Sequence, residues 1–306
     1  MTIRVDTMRR IDHLAGVPLC AILTPIVYLY DSIYRLFKKP NNEPKKMLFI
    51  ELSEMGSAIL VDPAMRDAIK RGAEIYFLIF KSNKASLELL QTVPKDRILT
   101  IDSSGLMSLI TSTLSTLIQI HRHKIDTVID LELFSRFTAL LTGCSGASRR
   151  VGYHIFHGEG LWRGNMLTHK VHYNPHVHIS KNFLSLIHAA YSNKDEVPYS
   201  KVIFFDKDIQ LAQANVTQEQ KNEIALRIQD LIKDKYKSLP SQLILINPNA
   251  SDLLPQRRWS PNRFAELIQT AANEWPEAVF LVTGSPDEKQ YAENVIQLAN
   301  VPQAYN

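Results

Sequence analysis

From residue 47 the apolar positions alternate between two patterns. Short continuous apolar runs occur at 47–52, 74–80, 97–101, 127–131 and 150–153. Runs of this length read as strands buried on both faces. Between them the spacing is helical, at 57–71, 83–91, 106–123 and 134–142. Gly72, Pro94 and Gly143 fall where those helices should stop. Strands alternating with helices imply right-handed crossovers and a mostly parallel, doubly wound α/β sheet.

The rhythm breaks at about 154–175, where His, Gly and Arg accumulate and suggest a functional loop. A helix at 177–191 and a polar, Pro-containing linker at 192–200 follow. Alternation then resumes with helix 218–235, strand 243–246, helix 261–273, strand 278–282 and helix 286–299. Two strands do not complete a doubly wound sheet, so the second domain is expected to be truncated at its C-terminal end. The expected division is 1–46, 47–200 and 201–306.

The first 46 residues follow another pattern. Arg9 and Arg10 precede an apolar run at 14–30, and Arg35, Lys38 and Lys39 follow it. The run is shorter than the ~20 residues of a spanning helix, and Pro18 and Pro25 are expected to disturb a continuous helix. It ends in Tyr-containing sequence and not at a small-residue cleavage site, which disfavours a signal peptide. The favoured reading is a segment lying in the membrane interface, with Tyr28, Tyr30 and Tyr34 at headgroup level and the cations facing anionic lipid. The alternative is a helix pair packed on the protein's own core.

Composition narrows the classes. A hydrophobic fraction of 45% and a charged fraction of 22% describe a globular chain. A net charge of +4 over 306 residues argues against a dedicated nucleic-acid binder. Two cysteines, Cys20 and Cys144, supply neither a disulfide framework nor a zinc spacing. His172, His176 and His178 lack a metal-site spacing, and Asp206-Lys207-Asp208 reads as surface, so no metal is expected.

Candidate chemistry concentrates after the strands of the second series. Asn249 and Ser251 follow one strand, with the basic pair Arg257 and Arg258 next, and Ser285-Pro286-Asp287-Glu288 follows the other. Loops at the carboxyl ends of parallel strands are where open α/β sheets hold ligands. Cations and helix N-termini there suit phosphate oxygens. Glu288 has two readings: a ribose-binding carboxylate, or the acid of a capping box with Ser285.

Three blocks then carry a resemblance. They are the turn Leu52-Ser53-Glu54-Met55-Gly56-Ser57 with the helix after it, the stretch Asp130-Leu131-Glu132 to Leu141 leading to Gly146-Ala147-Ser148-Arg149-Arg150-Val151-Gly152-Tyr153, and the second-series loops. In this order they resemble glycosyltransferase family 9, the lipopolysaccharide heptosyltransferase group. The resemblance implies an α/β fold of GT-B type, two Rossmann-like doubly wound domains, with the acceptor on the N-terminal one. It implies inverting, metal-independent transfer from a nucleotide-diphosphate sugar, with no cofactor besides that co-substrate. It also implies an anionic glycolipid acceptor at the cytoplasmic face of a bacterial inner membrane. In the family an acid follows the turn glycine. Here that position is Ser57, so Glu54 is the substitute base, and Ser57 is counted with it as a catalytic residue or, alternatively, is a helix N-cap. Asn249, Ser251, Arg257, Arg258 and Glu288 fall to the donor, and Arg136, Arg149, Arg150, His154 and Arg163 to a basic wall for the acceptor. A non-catalytic nucleotide- or glycan-binding protein on the same fold is the alternative. A nicotinamide oxidoreductase is disfavoured, since no G-x-G-x-x-G follows the first strand.

Overall fold

The computed structural model describes residues 5–37, 43–154, 161–193, 203–214, 216–250 and 258–306. The chain divides into two compact units, Met1–Asn215 and Val216–Asn306.

In the first unit the apolar runs become β1 (Lys46–Ile50), β2 (Glu74–Phe80), β3 (Ile98–Ile101), β4 (Thr127–Asp130) and β5 (Arg149–Tyr153). A further strand, β6 (His169–Val171), has a sequence too short and polar to signal itself. All six are parallel, in the order β3-β2-β1-β4-β5-β6. The expected helix at 57–71 is two helices, α3 (Met55–Leu60) and α4 (Asp62–Lys70), because Pro63 lacks an N–H and starts a new first turn. The connecting helices continue as α5 (Ala85–Leu90), α6 (Leu106–His123), α7 (Arg136–Cys144) and α8 (Ile179–Ala190).

Alternation along the strands sorts these helices onto two faces. Met47, Phe49, Phe77, Ile129, Val151 and Tyr153 pack with α4 and α8. Leu48, Ile50, Leu78, Leu99 and Val128 pack with α6 and α7.

The N-terminal residues form α1 (Val5–Leu14) and α2 (Gly16–Phe37). Contrary to the sequence expectation, α2 runs unbroken through both prolines. Pro18 sits in the first turn, where no N–H is required, and Pro25 is accommodated inside. One side of α2 is docked on the α6/α7 face. Cys20, Leu23 and Val27 pack on Ala139, Leu140 and Met166. The approach is close: a Cβ on Gly143 of α7 would fall 2.4 Å from Met166 Sδ and 3.1 Å from a Leu23 methyl. Gly164 faces the same helix at a positive φ of 74°.

The second unit comprises α9 (Gln218–Ile232), β7 (Leu243–Ile246), α10 (Pro261–Glu274), β8 (Val279–Val282), α11 (Lys289–Ala299) and β9 (Ala304–Tyr305). Its sheet is parallel in the order β7-β8-β9. The two-residue β9 adds a third strand that the sequence pattern does not signal. Ile246, Phe280 and Val282 of this sheet form a core with Ala265 and Ile268 of α10 and Val295 of α11.

Candidate functional site

The strand order of the first sheet reverses between β1 and β4, and the crevice at the carboxyl end of such a reversal is where doubly wound sheets bind ligands. β1 leads there into the turn Glu51-Leu52-Ser53-Glu54 and then α3. The turn is held by carboxyl groups. Glu132, just after β4, accepts hydrogen bonds through Oε1 from the Leu52 N–H at 3.0 Å and the Ser53 hydroxyl at 3.2 Å. Glu51 Oε1 accepts from the Glu54 N–H at 3.3 Å. Asn83 Nδ2 donates to the Leu52 and Ser53 carbonyls at 3.0 and 3.1 Å.

Glu54 stands exposed at the rim of the turn, and the Ser57 hydroxyl donates to its Oε2 at 3.0 Å. The structure therefore brings the two expected catalytic residues together. Ser57 lies inside α3 and makes no N-cap, and the residue before the helix is Glu54 itself.

Sequence reasoning missed Glu51 and Glu132 as a pair. Burial, together with repulsion and a hydrogen bond from Glu132, pushes the Glu51 carboxyl up to about 9. Burial also raises Glu132, against the hydrogen bonds it accepts. Two buried carboxyls in contact disfavour ionising together, and burial with the neighbouring Glu132 favours the protonated form of Glu51. The Tyr153 hydroxyl is buried on the Glu51 side of the sheet and makes no hydrogen bond among the described residues.

The expected basic wall is largely internal. Arg163 pairs with Asp130 and donates to the Ser135 carbonyl at 2.7 Å and to Thr138 Oγ1 at 2.8 Å, tying the β4–α7 loop together. Arg136 pairs with Asp12 of α1 at 3.0 Å and donates to the Trp162 carbonyl at 2.9 Å. Arg150 makes a two-point pair with Asp31 of α2, at 2.5 and 3.2 Å, and donates to the Met166 and Ala147 carbonyls. Arg149 donates to the Ala190 and Ser192 carbonyls at 2.6 and 3.2 Å. These four guanidiniums hold the fold. His154 ends β5 at the rim, and burial with the charges of Lys170 and Arg163 holds its imidazole below the usual range, hence neutral. Burial also lowers the Lys170 ammonium.

In the second unit the loops after β7 and β8 meet. Asn249 Nδ2 donates to the Thr283 carbonyl at 2.8 Å and to Asn247 Oδ1 at 3.2 Å, while its own Oδ1 is buried and accepts nothing among the described residues. Gly284 permits this contact, since a Cβ there would lie 2.6 Å from Asn249 Nδ2. Arg258 donates to the Ala250 carbonyl and lies over the Tyr291 ring at 4.8 Å. Glu288 closes the capping box, accepting through Oε2 from the Ser285 N–H at 2.8 Å and hydroxyl at 2.9 Å. Asn249, Arg258 and Glu288 thus share one loop cluster. Ser251 and Arg257 lie outside the described residues. Among the described residues no three His, Cys, Asp or Glu side chains converge as a metal would require, and His178 instead caps α8.

Residues 115–304, well over half of the chain, match the sequence model of glycosyltransferase family 9, the heptosyltransferases. The chain belongs to glycosyltransferase family 9. Among solved structures, a family 9 glycosyltransferase from Veillonella parvula superposes with a TM-score of 0.61 at 16% identity, covering 86% of this chain and 70% of that one. The Escherichia coli heptosyltransferase WaaC with ADP-2-deoxy-2-fluoro heptose gives a TM-score of 0.54 at 14% identity, covering 85% and 75%. At these identities the likeness concerns the fold, which is α/β of GT-B type. None of the curated proteins compared with the chain matches it. Membership makes this protein a glycosyltransferase.

Proposed function

We propose that this glycosyltransferase moves a heptose or similar sugar from a nucleoside-diphosphate donor to a phosphorylated, lipid-linked glycan of lipopolysaccharide type. Transfer is inverting and needs no metal. The observation that carries the reading is the Glu54 carboxylate at the β1–α3 turn, oriented by the Ser57 hydroxyl 3.0 Å away. Glu54 takes the proton of the acceptor hydroxyl as its oxygen bonds to the anomeric carbon. The bond to the diphosphate breaks on the opposite face, and the charge gathering on the leaving group is met by Arg258 and, outside the described residues, Arg257. Asn249 Oδ1, which accepts nothing among the described residues, suits a donor hydroxyl. With four arginines engaged internally, Lys170 and His154 are the cationic and polar groups we assign to the acceptor side.

The test is release of nucleoside diphosphate from a panel of ADP-, UDP- and GDP-sugars in the presence of envelope glycolipid. Glu54→Gln should lower turnover by about 10²–10⁴-fold while KM for the donor stays within about twofold. Unchanged turnover sinks the base assignment. Donor binding without any release by the wild type favours the non-catalytic binding protein, a reading that Ser57 at the family's acidic position keeps open.

We also propose peripheral attachment to the cytoplasmic face of a bacterial inner membrane through α2. By length and composition α2 could cross a bilayer, and most of its apolar surface is exposed. Leu29 and Leu36 are 63% and 81% exposed. Its other side is committed to the domain through Asp31 and Cys20, which supports a helix lying in the interface.

A further inference from the structure

The first unit has a second helix whose outer apolar face has no partner among the described residues. On α6, Leu106, Ile110, Leu114 and Ile118 recur at every fourth position, with Met107 beside them, and all five are between 46% and 72% exposed. The opposite side of α6, through Leu109, Leu117 and Ile120, is packed on the sheet. The exposed row is therefore surplus to the core, and rows of this size mark a contact surface.

Three observations identify the occupant. First, α6 carries no Asp or Glu in its 18 residues, and the exposed residues between the apolar ones include Thr111 and Ser115. Second, its C-terminal end is basic, with His121, Arg122 and His123 in the last turn and Lys124 after it. Third, α6, α7 and α2 all cover the same face of the sheet. α6 and α7 share one core, and α2 docks on α7 and, through Asp31, on Arg150 of β5. The outward rows of α6 and α2 thus belong to one helical layer. Asp31, the sole carboxylate on these two helices, is turned inward to Arg150. A layer that is apolar outward, free of outward acids and basic at one end complements an anionic lipid surface.

We infer that α6 is a second membrane-docking element, so that the protein meets the bilayer with the whole α6–α7–α2 layer and not with α2 alone. This rests on the membrane reading proposed for α2 and extends it. Two helices held on the same face of the sheet, with α7 between them, fix the tilt of the domain on the bilayer, whereas a single helix would leave it free to roll about the helix axis.

Vesicle co-sedimentation tests this with phosphatidylglycerol/phosphatidylethanolamine liposomes, against phosphatidylcholine alone. The wild type is compared with the double variants Ile110→Glu/Leu114→Glu on α6 and Ile22→Glu/Ile26→Glu on α2. All four positions are exposed, and unchanged melting temperatures establish that the variants fold. The inference expects each double variant to partition about tenfold or more weakly than wild type onto the anionic vesicles, and the combined variant not to bind measurably. If the α6 variant binds like wild type while the α2 variant does not, the α6 inference falls and the α2 reading survives. If the wild type does not bind vesicles, both fall. Sedimentation velocity without lipid supplies the remaining outcome. A wild-type dimer that becomes a monomer in the α6 variant overturns lipid as the occupant in favour of a second copy of the chain.

Discussion

Glu51 changes its proton affinity on folding. Its carboxyl is pushed up to about 9 by burial and by Glu132, from about 4.5 in the unfolded chain. Between those values the folded protein holds a proton that the unfolded chain has released. Stability must then fall as pH rises, by about 1.4 kcal/mol per pH unit for one proton. The loss begins near pH 4.5 and is complete near pH 9, beyond which the contribution levels off. The groups acting on Glu51 are Glu132 and Glu54, with the Tyr153 hydroxyl beside it, and none of these three is cationic, so they keep this sign. Denaturant melts from pH 5 to 9 measure the slope. Glu51→Gln keeps an acceptor for the Glu54 N–H without the proton, and should flatten the slope. An identical slope in that variant would exclude Glu51 as its source. The visible part of this site in the sequence was the turn motif around Glu54 and Ser57. The hidden part was Glu51 with Glu132, 81 positions apart, because each looks like an ordinary acid at a strand end. Only the placement of β4 beside β1 makes them neighbours.

The secondary elements were legible wherever burial imposes a period. Strands buried on both faces give continuous apolar runs, and this recovered β1 to β5, β7 and β8. β6 and β9 escaped because three and two residues carry no pattern. The docking of the N-terminal helices was hidden for another reason. It depends on Asp12 and Asp31 meeting Arg136 and Arg150, across separations of 124 and 119 residues. Asp12 also caps α7, accepting from the Arg136 and Phe137 N–H groups at 2.8 and 3.1 Å. Arg150 is 2% exposed, so removing its counter-ion leaves a buried charge. Asp31→Ala should therefore cost about 3–5 kcal/mol in chemical denaturation. A cost below 1 kcal/mol would mean that the carbonyls of Met166 and Ala147 suffice for Arg150. Gly143→Val should also loosen α2, since even a Cβ meets Met166 and Leu23 there, and limited proteolysis within α2 would report it.

At the scale of the molecule, the helices that suit a membrane are also part of the fold that carries the site. Beginning the chain at Lys46 would leave Arg136 and Arg150 without their aspartates, so a shortened protein is expected to be less soluble and less stable than the whole one. Exchanging outward residues of α2 such as Ile22 and Leu29 for glutamate is expected to improve solubility at little cost in stability. Comparing soluble yield and melting temperature of the two kinds of variant checks this.

The pairing of Asp31 with Arg150 also sets an order of events during synthesis. α2 leaves the ribosome well before β5 exists, and at roughly 5–20 residues per second its aspartate waits about 6–24 s for its partner. In that interval α2 is an apolar helix long enough to cross a bilayer, carrying one unpaired acid. If α2 meets a bilayer in that interval, as proposed above, the cost of taking that acid into lipid would hold the nascent helix at the surface until the domain closes on it. Asp31→Leu should therefore divert part of the newly made protein into an integral form that resists alkaline extraction.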